Sequence, residues 1–371
     1  MTLTISLPII HIIADQTHTA IYIIHTSISL LFFMFSLSAI FLSRVADIVG
    51  PYHVLKFSQI SSIIGLVLIS FAYLPWMFLL GFFLVGSGTG CYSSIARLLI
   101  SKHSKDHHSM RKSFSFISML VVIAPIISAF ISLHSTNYSW RLTYWIMSTL
   151  ELMLLIAVKI MLSESKQNMH TNKRQSLLSG YIFCLKKPYF TLNMVLAGAG
   201  IAVFIKLLIG NAHPIIVGQM HMSELFYSRT ILFMSISYII GVYMFRILPK
   251  NAPLEYVRVA SCIILIVTAV LLPPAQSTTY IIGIMLFYCF VVGLLVPMSS
   301  SLALIVIEEH QGAAAALLTF SFAIISALLS VLQTHFNINV VVFTNNTLLT
   351  SSVISLIIST LLYVQRKKLT F

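Results

Sequence analysis

The sequence predicts an all-α polytopic membrane protein, and three observations predict it. The 371-residue chain is 58% hydrophobic and 8% charged, with a mean hydropathy of +0.98; a soluble domain carries about a quarter charged residues. Apolar runs of about 20 residues, enough to cross roughly 30 Å of hydrocarbon, recur along its whole length. All but three of the 22 Lys and Arg residues cluster in segments between alternate runs.

Eleven full spans are expected, near residues 19–43, 54–74, 76–100, 114–134, 139–162, 189–210, 226–248, 256–273, 279–306, 313–334 and 340–365. Pro75, Pro273, Pro274, Asn337 and Asn339 fall at the breaks. A backbone in lipid must satisfy its own hydrogen bonds, which forces helices. Barrel strands would alternate every second residue, and these runs do not. Residues 1–13 are apolar but, at 1.5 Å per residue, reach only about 20 Å, so they are expected to form a short first helix. The first two full spans are joined by a polar hairpin over 41–56. The longest polar stretch, 164–188, follows the fifth full span.

If the 41–56 hairpin is cytoplasmic, only Arg141, Lys206 and Arg229 fall outside the inner groups of basic residues. The positive-inside rule then orients the chain, with the central linker and C-terminus cytoplasmic. The net charge of +13 is thereby a matter of topology, and nucleic acid is not an expected partner. Cys91, Cys184, Cys262 and Cys289 lie far apart without metal-ligand spacing and read as small buried hydrophobes. No metal or other cofactor is expected, and no cleavable signal pattern is present.

Asp47 and Gly50 in the hairpin stand where the first intracellular loop of the major facilitator superfamily, G-x-L-x-D-R-x-G-R-R, has its acid and second glycine. Ser43, Ile48, Pro51 and Tyr52 replace a glycine and three basic residues. Leu84, Gly86 and Gly88, then Ala96 and Arg97, resemble that family's fourth helix. Ala124, Pro125, Ser128 and Ala129 resemble the fifth; Trp140, Arg141, Tyr144 and Trp145 the start of the sixth. Gly293, Pro297 and Gly312 resemble the tenth and eleventh. Ser6, Leu7 and Pro8 look like the outer end of the first helix in drug:proton antiporters of the bicyclomycin-resistance (Bcr/CflA) type. This resemblance implies the major facilitator fold: two pseudo-symmetric helix bundles, residues 1–163 with a truncated first helix and 189–371 with six helices, joined by a cytoplasmic linker over 164–188.

Small residues at Gly86 and Gly88 suit close helix packing, and Pro125 and Pro297 suit helix bending. Asp47, Gly50 and Arg97 form a candidate gating loop, in which Asp47 caps a helix, pairs with Arg97 or another base, or is a solvated loop acid. Phe82 and Val85 stand where the resemblance would place an arginine and a glutamine of the fourth helix. The acid of the first helix would fall at or before Met1; an upstream start and a shortened chain both account for that.

An ionisable group at membrane depth is a functional candidate by default. Glu151, near the middle of its span, is the leading one, as a proton or cation site; a hydrogen-bonded buried carboxyl is the competing reading. Lys206 is a candidate partner or a snorkelling lysine, and His25 completes the candidate substrate and proton pathway. Lys159 snorkels. His103, His107 and His108 sit among bases and read as a solvated loop. Glu308, Glu309 and His310 are placed to pair with inner-face bases, by analogy with facilitator gates. No acid–base or metal constellation points to an enzyme.

The resulting expectation is a monomeric, multi-pass transporter of the inner (plasma) membrane. It would move a small organic compound by alternating access through proton-coupled efflux of a drug, metabolite or siderophore. The competing expectation is a truncated or divergent facilitator relative, a scaffold or non-functional product, without coupled transport.

Overall fold

The computed structural model describes residues 5–6, 9–103, 107–135, 138–163, 177–205, 211–212, 214–249, 252–272, 278–307, 310–335 and 340–369, and every element among them is helical. In order these are α1 (Ile10–Thr17), α2 (Ile21–Val49), α3 (Pro51–Ser70), α4 (Pro75–Thr89), α5 (Tyr92–His103), α6 (His107–Ser135), α7 (Trp140–Ser163) and α8 (Leu177–Leu185). There follow α9 (Pro188–Ile205), a π-helical turn (Pro214–Gln219), α10 (Glu224–Ile247), α11 (Leu254–Leu271), α12 (Thr278–Ile305), α13 (Gln311–His335) and α14 (Val340–Leu369). Among the described residues, ten helical segments are long and apolar enough to cross a membrane, with α4 and α5 counted as one. The 25-residue α13 adds an eleventh long helix.

Four expected boundaries are corrected. The first described helix is α1, which runs past the expected end at residue 13 to Thr17 and closes on His18 in the left-handed region at φ 50°; residues 1–4 and 7–8 lie outside the described residues. The 41–56 hairpin is a single-residue turn. The helix α2 runs through Arg44 to Val49, and α3 restarts at Pro51. Gly50 alone makes the turn at φ +99° while its N–H donates to the Ala46 carbonyl; only glycine tolerates that conformation cheaply, and Pro51 is preset for a first helical position. The third full span is interrupted at residues 90–91, between α4 and α5, where Gly90 packs against the Phe35 carbonyl. Finally, helix α8 occupies the second half of the expected linker, and Tyr181 on it donates to the carbonyl of Ile40. Residues 164–176 of that linker lie outside the described residues.

By packing, the chain divides into two compact units: 1–102, 123–181 and 310–319 form one, and 103–122, 182–309 and 320–371 the other. The first unit is cored by Ile5, Ile9 and Ile13 against Phe78, Phe82, Trp140 and Tyr144, with Ser6 Oγ 2.9 Å from Tyr144 Oη. The position expected to depart from the family arginine, Phe82, is thus a buried core aromatic. The second unit is cored by Phe204, Tyr238, Phe245, Tyr288 and the aliphatic faces of α11 and α12.

Glycines set the helix crossings inside each unit. In the first, a Cβ on Gly86 would fall 2.4 Å from the Leu31 carbonyl oxygen, one on Gly90 2.1 Å from that of Phe35, and one on Gly88 2.4 Å from that of Ser58. The helix α4 therefore lies with its bare backbone on α2 and α3. In the second, Gly241 and Gly293 reciprocate: their Cβ atoms would meet the carbonyl oxygens of Phe290 and Tyr238 at 1.9 and 2.1 Å. Lipid tails are as apolar as leucine, so helices associate in the bilayer through such close packing. Gly293→Val should force α10 and α12 apart, at a cost of about 1–3 kcal/mol as in other overpacked interiors. A thermal melt of the purified protein should read this as a transition lowered by several degrees, whereas Gly283→Val, with open space around it, should leave the melt unchanged.

Candidate functional site

The buried acid lies in the first unit. On α7 the inward stripe runs Tyr144, Met147, Ser148 and Glu151, while Leu152, Met153 and Leu154 face outward. Glu151 is 5% exposed. Its Oε2 accepts a hydrogen bond of 3.2 Å from the phenol of Tyr92, the first residue of α5. Ser62 on α3 lies beside both groups, and its buried hydroxyl makes no directed hydrogen bond.

Local packing explains the meeting. Gly88 lets α4 approach α3 at Ser58 and Ser62, and Cys91 Sγ then lies 3.0 Å from Ser58 Oγ. The chain re-enters a helix at Tyr92, one residue later. Among the described residues the carboxyl is met by hydroxyls and by no lysine or arginine. A carboxyl at membrane depth bonded to a hydroxyl is suited to taking up and releasing a proton, since ionisation there is costly. Sequence reasoning singled out Glu151 but neither Tyr92 nor Ser62, which are unremarkable in one dimension.

The other predicted positions fall as follows. The pairing of Lys206 with Glu151 lies outside the described residues, as do the side chains of His25, Asp47 and Pro125. His25 is on α2, Asp47 two residues before its end, and Pro125 within α6. Pro297 is buried inside α12.

Arg97 on α5 is buried and donates to Thr319 Oγ1 at 2.7 Å. Nearby, Ser101 donates to Gln311 Oε1 at 3.2 Å, and Arg44 Nη1 lies 3.2 Å from His310 Nδ1. The guanidinium of Arg44 also lies under Gly180, whose Cβ would come within 3.0 Å of it. Buried Ala313, Ala314, Ala315 and Ala316 let the first turns of α13 settle among these groups. Arg44, expected as a loop base, is 3% exposed. The reason is the one-residue turn, which keeps residues 44–49 helical.

The second unit holds a buried network that sequence reasoning missed. Arg258 on α11 is 0% exposed and forms an ion pair with Glu255 one turn earlier. It also donates to Asn193 Oδ1 at 3.0 Å, while Tyr189 donates to Glu255 Oε1 at 3.0 Å. The i, i+3 spacing of acid and base was legible, but their burial was not, because they sit next to the polar end of α11.

The ten long apolar helical segments are those of a polytopic membrane protein. The family model of the Major Facilitator Superfamily matches residues 1–362, and the chain belongs to that superfamily. Solved structures agree on the fold. The E. coli fucose:proton symporter FucP aligns over 97% of this chain and 98% of its own at a TM-score of 0.68 and 13% identity. The proton:xylose symporter XylE does so over 97% and 91% at 0.75 and 10%. The human organic anion transporter MFSD10 covers 95% and 88% at 0.66 and 9%. No curated protein matches the sequence.

Breaking one half of the second unit's ion pair should be severe. Arg258→Ala leaves Glu255 charged and buried, which costs about 3–5 kcal/mol. The double variant Arg258→Met, Glu255→Gln should recover much of that in folded yield and melting temperature. A single variant as stable as the native chain would contradict this description.

Proposed function

We propose that the protein is a secondary transporter that moves a small organic compound by alternating access, coupled to protons through Glu151. The observation that carries the reading is a buried carboxyl held by the Tyr92 hydroxyl on a membrane-spanning helix. Family membership supports the transport class, and two of the similar folds belong to proton symporters. By the resemblance of its motifs to the bicyclomycin-resistance type, the direction is efflux and the cargo a drug, metabolite or siderophore. The positive-inside distribution supports a cytoplasmic position for residues 164–188 and the C-terminus, and we read the membrane as an inner (plasma) membrane. Residues 1–163 and 189–371 act as the two functional bundles, and the chain acts as a monomer. The contacts of Arg44, Arg97 and Ser101 with residues 310–319 are those we assign to the gate, with Asp47 and Gly50 closing the adjoining turn.

A second reading, a divergent relative without coupled transport, is favoured by Phe82 and Val85, which are both buried and apolar where the family resemblance expects polar groups. One experiment separates the two. In proteoliposomes with an imposed pH gradient, ethidium and similar organic dyes should move with the gradient. Glu151→Gln should abolish the gradient-driven flux while retaining substrate exchange at equal pH, and Tyr92→Phe should weaken it several-fold. Unaltered flux in Glu151→Gln would remove that residue from coupling. Absence of gradient-dependent flux for the whole dye panel would favour the second reading.

A further inference from the structure

At the end of α10, in the second unit, a cleft of about 570 Å³ opens between α6 and α10, lined by Lys112, Tyr243, Arg246 and Ile247. Its walls are fixed by the neighbouring arginine. Arg111 donates to the carbonyls of Leu248 and Pro249 and lies 5.7 Å over the Phe245 ring, which neutralises the negative end of the α10 dipole. The capping role is therefore filled, and Lys112 and Arg246 are not needed for it. Among the described residues, neither of these two cations has an ion-pair or hydrogen-bond partner.

The cleft sits at the ends of two spanning segments, Ser109–Ser132 and Phe226–Ile247, hence at the membrane–water boundary. Below the cations the helices present apolar stripes. Phe116 and Leu120 follow Lys112 at i+4 and i+8 on α6, and Ile240 and Ile236 continue from Tyr243 and Ile247 on α10, all of them exposed. Such a site offers two positive charges to a headgroup, an aromatic ring at the interface, and two apolar tracks running into the hydrocarbon.

We propose that this cleft binds an anionic phospholipid, with the phosphate between Lys112 and Arg246 and the acyl chains along the stripes of α6 and α10. Basic pockets between membrane helices recognise anionic headgroups in this way. Inorganic phosphate shares the headgroup chemistry but would leave the apolar tracks unused. The lipid site is independent of the transport reading, since no residue of it belongs to the Glu151 cluster or to the gate.

The test uses the full chain in nanodiscs of equal phosphatidylglycerol and phosphatidylcholine, with lipids retained on release counted by native mass spectrometry. The native protein should retain phosphatidylglycerol over phosphatidylcholine by on the order of tenfold. The double variant Lys112→Gln, Arg246→Gln should lose that preference, while Lys112→Arg with Arg246→Lys, which keeps the charges, should preserve it. Lys159→Gln, another exposed base at a helix end, should have no effect. A preference that survives the double glutamine variant, or that falls equally in Lys159→Gln, would overturn the proposal. So would stabilisation by millimolar inorganic phosphate equal to that by phosphatidylglycerol, which would indicate a free-anion site instead.

Discussion

The close approach of bare helix backbone to a neighbouring carbonyl is the constraint on which the rest of this structure depends. In lipid there is little hydrophobic gain from bringing two apolar helices together, so contact area at small residues has to do it. Gly86, Gly88 and Gly90 place α4 against α2 and α3 at distances no side chain could share. That placement sets Cys91 beside Ser58, and one residue further on Tyr92 meets the carboxyl of Glu151. Without it, the carboxyl would lose its hydrogen bond from the Tyr92 hydroxyl.

The two units treat buried charge in opposite ways. In the second, Arg258 and Glu255 neutralise each other, and Asn193 and Tyr189 satisfy further atoms of the pair. Such a paired network resists change, because removing one of the two ionic partners strands a charge in low dielectric. Around Glu151 only hydroxyls are present among the described residues, and a hydroxyl can donate to the carboxylate or accept from the acid. The difference lies in the partners, since both carboxylates are almost equally buried.

Much of the fold was legible because membrane helices leave a coarse signature: length, apolarity and the segregation of basic residues. The turn at Gly50, the packing glycines Gly86 and Gly88 and the buried acid Glu151 could all be found by position. The sequence could not reveal where polar residues remain helical, and so Arg44 was expected in a loop although α2 carries it into the interior. Nor could it pair residues distant in the chain. Tyr92 and Glu151 are 59 apart, Arg97 and Thr319 are 222 apart, and only packing of the intervening helices brings each pair together. The network around Arg258 escaped notice because a charged pair at a helix end resembles a solvated one until neighbouring helices cover it.

If Glu151 takes up and releases a proton beside the Tyr92 hydroxyl, as proposed, infrared difference spectroscopy of the reconstituted protein between acidic and alkaline pH reads that exchange in the carboxyl itself. A protonated-carboxyl C=O band is expected that disappears in Glu151→Gln and shifts in frequency in Tyr92→Phe, as the hydrogen bond to the carboxyl is lost. A spectrum in which that band persists in Glu151→Gln, or ignores the loss of the Tyr92 hydroxyl, would contradict it.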